Sequence, residues 1–189
     1  MIAAGKNYEK MLPEQFPRQT GLAKKAVQMS IQAPLHGEGD DSLAQQVAAL
    51  CWRRHKNTLQ FVLITSRDTG RWVIPKGWPV PGLAPSAAAA NEAWEEAGVL
   101  GRISDQPLGD YLYLKMTSPV LSVRCAVTVF PLQVAELKRN FPEAKERRRR
   151  WFAADKAARL VDEPDLMSLL QTIAAEPGLL RGRIPPGAA

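Results

Sequence analysis

Glu92, Glu95 and Glu96 are the residues of this sequence best placed to do chemistry, standing at i, i+3 and i+4. At 3.6 residues per turn a helix gathers such positions on one side of its surface. Like charges at that spacing cost roughly 0.2–0.5 kcal/mol per pair in an isolated helix, so the cluster is either solvated or offset by cations. Oxygen-only donors on one rigid element suit Mg²⁺ or Mn²⁺, and a cation held there would clamp a phosphate for attack by water. The competing reading is a solvated acidic helix face, the commoner fate of a lone Glu-x-x-Glu-Glu.

The flanking residues decide between the two. Pro85 suits a first helical turn, where its missing N–H is no loss, and Gly98 suits the left-handed position just past a last turn. Ala90, Ala93, Trp94 and Ala97 are expected opposite the glutamates, packing on a sheet while the carboxylates point into a cleft. The preceding loop, Lys76 to Gly82, holds Gly77, Pro79, Pro81 and Gly82, a composition that lets backbone approach a ligand closely along a stiff path.

Together these residues resemble a Nudix box, the signature of the Nudix hydrolase family. That pattern runs Gly, five residues, Glu, seven residues, then Arg-Glu-aliphatic-any-Glu-Glu-any-Gly-aliphatic. Gly77 opens it here, and Glu92, Ala93, Glu95, Glu96, Gly98 and Val99 close it in register, with Leu83 at the first glutamate position and Asn91 at the arginine position. The resemblance implies that Glu92, Glu95 and Glu96 bind Mg²⁺ or Mn²⁺ with help from a backbone carbonyl near Gly77. The two departures fall on groups that in the family support those carboxylates, and supporting partners typically contribute ten- to a hundredfold in affinity or activity. The resemblance covers roughly residues 43 to 175. Ser66-Arg67, Trp72-Val73-Ile74-Pro75 and Arg149-Arg150-Trp151-Phe152 are similar to the diphosphoinositol polyphosphate phosphohydrolase branch, whereas Pro75-Lys76-Gly77 is similar to the branch that cleaves diadenosine polyphosphates.

The implied reaction is hydrolysis of a phosphoanhydride bond in a highly phosphorylated small molecule of the diphosphoinositol polyphosphate or dinucleoside polyphosphate type. A nucleotide-sugar or nucleoside-triphosphate hydrolase of the same family is the enzymatic alternative; a catalytically weak domain that binds nucleotide or RNA is the other. The general base is left open among Glu92, Glu143 and Glu146. Candidate phosphate contacts are Ser66, Arg67 and Lys76 near the loop, Arg124 on a strand if its face carries the box helix, and Arg148 and Arg150, which alternation sends to one face of a last strand while Arg149 takes the other. Each has a structural reading as a solvated or edge-protecting cation. Trp78 either caps the core or stacks on a base, the former being favoured.

The chain has 189 residues and 46% hydrophobic content, enough for one packed domain. Its net charge of +6 suits an anionic partner; nucleic acid fits the charge equally well but is not favoured. Cys51 and Cys125 lie in apolar runs and read as buried thiols of a reducing, cytoplasmic protein. No apolar run is long enough to span a membrane. Residues 1–42 read as an arm, flexible in part, within which Ala23 to Gln32 is a weak amphipathic pattern able to dock on the domain or on a second copy in a homodimer. Residues 43–177 read as the catalytic domain and 178–189 as a flexible tail.

Strands are expected at Ala44–Trp52 and Thr58–Ile64, joined by a basic turn, then at Arg71–Ile74, Tyr111–Leu114, Leu121–Phe130 and Arg148–Phe152, with closing helices at Ala153–Leu160 and Asp165–Ala175. That order gives an α/β fold, with helices covering a mixed sheet; the Nudix resemblance implies the same αβα sandwich.

Overall fold

The computed structural model describes residues 43–118 and 121–181. Strand β1 (Ala44–His55) turns at Lys56 and Asn57, both at positive φ (47° and 64°), into β2 (Thr58–Thr65). A two-residue turn of that hand matches the twist of the strands it joins, so β1 runs through Arg53–His55, which the sequence assigns to the turn. The pairing is antiparallel from Trp52↔Phe61 to His55↔Thr58. Two short strands follow, β3 (Trp72–Val73) on β2 and β4 (Lys76–Gly77) on β1. After helix α1 (Pro85–Ala97) come β5 (Val99–Ile103), β6 (Gly109–Ser118), β7 (Leu121–Leu137) and β8 (Arg149–Ala153). Helices α2 (Ala154–Ala158), α3 (Pro164–Ala175) and α4 (Gly178–Arg181) end the described chain.

The sheet is mixed. Its path runs β3-β2-β1-β7-β5, with β4 attached to β1, β6 to β7 and β8 to β2. β1 lies parallel to β7, from Ala44↔Cys125 to Trp52↔Gln133, while the other pairings are antiparallel. The length of β7 lets its first half pair β6 and its second half β5, so it stretches past the expected end at Phe130. β4 and β5 have no counterpart in the expected strands. In β5, Val-Leu-Gly-Arg-Ile, alternation breaks at a register shift between Leu100 and Gly101, where a side chain on Gly101 would meet the Gln133 backbone.

Alternation in the central strands splits the core in two. Leu50, Trp52, Phe61, Leu63, Val127 and Val129 face α2, α3 and α4, and Val47, Ala49, Cys51, Val62, Ile64 and Leu132 face α1. These are the three layers of the expected αβα fold. α4 falls within the span expected as a tail, and its Leu180 is fully buried against α3. Residues 1–42 and 182–189, including the expected docking segment at 23–32, lie outside the described residues. Both cysteines are buried free thiols. Among the described residues, no helix is long and apolar enough to cross a membrane.

Candidate active site

The box helix α1 begins with Pro85 at its first position and ends at Gly98, whose φ of 59° is the left-handed cap its sequence position suggests. Its seat differs from the expected one. Ala89, Ala93 and Ala97 form one i, i+4 stripe against the sheet; Ala88, Glu92 and Glu96 form the neighbouring stripe, and all six are buried. Glu92 is 6% and Glu96 7% exposed, beside the alanines and not opposite them, while Ala90 and Trp94 are only half-buried. The small alanines let the backbone of α1 lie close to the sheet, which draws the adjacent stripe in with it.

Each carboxylate has a defined environment. That of Glu92 lies against the α-carbon of Gly77, where any side chain would overlap it. Glu96 Oε2 accepts the Lys76 backbone N–H at 3.0 Å, and its Oε1 takes the Arg147 guanidinium. Asn91 Nδ2 donates to Glu95 Oε1 at 2.9 Å. Burial pushes the Glu96 carboxyl up to about 7, opposed chiefly by Arg147 and reinforced by Glu92.

The turn before β8 closes the site. Arg147 Nε donates to Glu143 at 2.6 Å and its Nη1 to the Thr65 carbonyl at 3.0 Å, while the Glu143 N–H reaches the Glu95 carbonyl at 3.0 Å. Arg67 lies 3.5 Å from Glu143 and 3.4 Å from Glu146. Charge therefore alternates from the helix outward: Glu96, Arg147, Glu143, Arg67, Glu146. Ser66 is held in the turn after β2, its hydroxyl 2.6 Å from that of Thr69.

A second group of cations flanks β4. Lys76 Nζ stands 5.3 Å from the Tyr113 ring centroid, the Tyr113 hydroxyl donates to Gln46 at 2.6 Å, and Lys115 Nζ stands 4.6 Å from the Trp78 ring. Burial lowers the pKa of the Lys76 ammonium, against the opposite pull of Glu96 and Glu163. Arg71 forms a 2.6 Å ion pair with buried Glu163 at the start of α3.

The remaining sequence candidates are placed as follows. Arg124 is exposed on the sheet face that carries α1, lining a shallow pocket with Leu43, Leu112 and Leu114. It lies four residues along β7 from Thr128, the position level with Gly77 across β1, on the order of 13 Å at 3.3 Å per residue. Arg148 and Arg150 are exposed, Arg148 with its guanidinium 5.9 Å from the Trp72 ring, and Arg149 turns the other way, as alternation requires, to donate to the carbonyls of Ala97 and Lys138. Sequence reasoning selected none of Arg147, which meets Glu96, Tyr113, which stands by Lys76 and bonds Gln46, Lys115, which stands over Trp78, or the Arg71–Glu163 pair. Arg147 opens the arginine run but precedes the strand, so alternation says nothing of its direction; Glu163 precedes a helix-starting proline and reads locally as turn chemistry.

Residues 44–172 match the NUDIX domain family model. The chain belongs to the Nudix family. Among its relatives, Nudix hydrolase 13, mitochondrial, of Arabidopsis thaliana is 33% identical over 121 residues, covering 61% of this chain and 60% of that protein. The human diphosphoinositol polyphosphate phosphohydrolase 3-alpha is 28% identical over 123 residues, covering 64% of this chain and 71% of the relative. In fold, the chain matches the NUDIX domain of Shewanella oneidensis NrtR, solved with ADP ribose, at a TM-score of 0.56 and 13% identity, over 82% of this chain and 98% of that one. Gly77 to Val99 is thus a Nudix box, departing from the family pattern at Leu83, which packs half-buried on the alanine core, and at Asn91, which bonds Glu95.

Proposed function

We propose that this Nudix domain is a divalent-metal-dependent pyrophosphohydrolase acting on a highly phosphorylated small molecule, of the diphosphoinositol polyphosphate or dinucleoside polyphosphate type. The observation that carries the reading is the pair of buried carboxylates, Glu92 and Glu96, folded onto Gly77 and Lys76, with the cations Lys76 and Arg147 acting on Glu96. The name of the human relative supports the first substrate type.

The fit to a metal rests on the donors. Among the described residues no group of three acidic or histidine side chains stands assembled to hold an ion; Glu96 accepts from Arg147 and the Lys76 N–H, and Glu95 accepts from Asn91. The donor set is nonetheless all carboxylate oxygen on one helix, with the Gly77 backbone against Glu92, and hard cations such as Mg²⁺ or Mn²⁺ prefer such donors. Glu92, Glu95 and Glu96 would hold the ion, which when bound supplies charge neutralisation at the phosphoryl oxygens and acidifies water. The chain's own part is positional. Lys76 and Lys115 meet the phosphates, Gly77 brings backbone close to the reacting group, and Glu92 takes the proton as water attacks phosphorus and the bridging P–O bond breaks. Glu143 and Glu146 are occupied by Arg147 and Arg67 and hold the turn in place. Buried free thiols fit a reducing compartment; a homodimer and nucleic-acid binding form no part of this mechanism.

The two departures of the box favour a second reading, a weakly catalytic domain that binds nucleotide or RNA: Leu83 stands at its first glutamate position and Asn91 at its arginine position. Product formation with Mg²⁺ or Mn²⁺ from a diphosphoinositol polyphosphate, diadenosine polyphosphates, ADP-ribose and nucleoside triphosphates separates the two. Turnover of a polyphosphorylated substrate, abolished in Glu95→Gln/Glu96→Gln, is expected. Binding without turnover across the panel would establish the second reading, and preference for ADP-ribose or a triphosphate would move the enzyme to the nucleotide-sugar or triphosphate class.

A further inference from the structure

Arg147 lies outside the box, yet its guanidinium is held at three points: by Glu96, by Glu143 at 2.6 Å and by the Thr65 carbonyl at 3.0 Å. Its side chain is 6% exposed. Glu92 and Glu96 stand one turn apart, buried and of like charge, an arrangement that persists only if a cation or strong donors compensate it. The Lys76 N–H supplies one donor to Glu96, and Arg147 supplies a full charge. Asn91, at the arginine position of the box, carries no charge and reaches Glu95 instead. We propose that Arg147 is the positioning residue of the acidic site: from the turn before β8 it holds the Glu96 carboxylate in place and offsets the charge of the Glu92–Glu96 pair, supplying from a distant segment the support for metal binding that position 91 of the helix does not give.

The inference rests on the metal reading above. A planar fork with one arm on Glu96 and the others on Glu143 and Thr65 sets the position of Oε1 as a point charge on a flexible stem does not. The turn is itself pinned to α1 by the Glu143 N–H on the Glu95 carbonyl at 3.0 Å, so helix, turn and β2 are tied together at the carboxylate.

The test is Mn²⁺ affinity, read from the spectrum of free Mn²⁺ by electron paramagnetic resonance on the full chain, with thermal midpoints recorded alongside. Arg147→Gln is expected to weaken Mn²⁺ at least ~10-fold, the scale of a lost supporting partner, and Arg147→Lys to fall between it and the unsubstituted chain. Guanidinium ion at millimolar concentration is expected to restore affinity to Arg147→Ala without moving its thermal midpoint, a rescue that a merely structural role would not produce. Equal or tighter Mn²⁺ binding by Arg147→Gln would overturn the proposal and make Arg147 a competitor of the metal; a loss that guanidinium leaves unrepaired would overturn it in favour of a structural role. No Mn²⁺ binding by the unsubstituted chain would sink the metal reading and the inference together, whereas binding unaffected by Arg147→Gln sinks the inference alone.

Discussion

At Gly77 a hydrogen stands where any other residue would place a carbon inside the Glu92 carboxylate. Gly77→Ala is therefore expected to displace Glu92 and weaken Mn²⁺ at least ~10-fold, the scale for a disturbed ligand support, measured by titration against a fluorescent metal indicator; unchanged affinity would mean that Glu92 serves from another rotamer. Glu96 links the same site to stability. Its folded carboxyl is pushed up to about 7 from an ordinary 4.5, so the folded chain holds this proton more tightly than the unfolded one. The contribution to stability is full below pH 4.5 and is lost as pH rises through about 7, on the order of 3 kcal/mol at most. Metal-free protein should have a lower urea midpoint at pH 8 than at pH 5.5, and Glu96→Gln should shrink the difference; an equal slope in both proteins would count against the buried-carboxylate account.

The element on which the site depends is α1, whose two buried stripes need small residues on one and acids on the other. Leu83, at the first box glutamate position, packs half-buried on the same alanine cluster. Leu83→Glu accordingly restores the box's first glutamate at the expense of the core, and stability should fall by roughly 1–3 kcal/mol, the cost of burying a polar group without a partner, read as a lower thermal midpoint. A midpoint that rises would show that a cation waits there for the glutamate. The C-terminal end of α1 is fastened by Arg149 on the Ala97 carbonyl and by Phe141 against Gly98, so an arginine that sequence alternation separates from its neighbours has a structural task. α4 shows the same logic on the opposite face. Leu180→Ala should cost about 2–5 kcal/mol, the range for truncating a fully buried leucine, and a loss under 0.5 kcal/mol, the usual size for surface changes, would return Gly178–Arg181 to the tail.

For the whole molecule, the net charge of +6 acts at a longer range than any contact described above. On the proposed function, a polyanionic substrate would be drawn to the protein by a field that added salt screens over about 10 Å at 0.1 M. On this reading kcat/KM should fall as ionic strength rises while kcat stays nearly level, in steady-state assays with the substrate that the panel identifies. Loss of kcat instead would place the salt-sensitive step after binding and leave steering without a role. The sandwich itself supports this arrangement: β1 runs between β2 and β7 in the middle of the sheet and carries β4 against its edge, so the loop that opens the box is anchored on the best-buried strand.

The sequence by itself determined the acidic cluster, the limits of α1, the β1–β2 hairpin and the αβα class, because periodicity, a proline at a helix start and a left-handed glycine at its end act within a few residues of one another. It also identified Leu83 and Asn91 as departures. Only the tertiary structure decided that Glu92 and Glu96 are buried, that Arg147 meets Glu96 across 51 residues of chain, and that Tyr113 stands by Lys76, Lys115 by Trp78 and Glu163 by Arg71. The parallel pairing of β1 with β7, the attachment of β5 to the far half of β7, and the packing of Leu180 under α3 belong with these. The physical reason is common to all of them: a helical wheel or a strand alternation says which side chains share a face, but which segment covers that face depends on how distant parts of the chain pack, and burial and charge compensation exist only once they have.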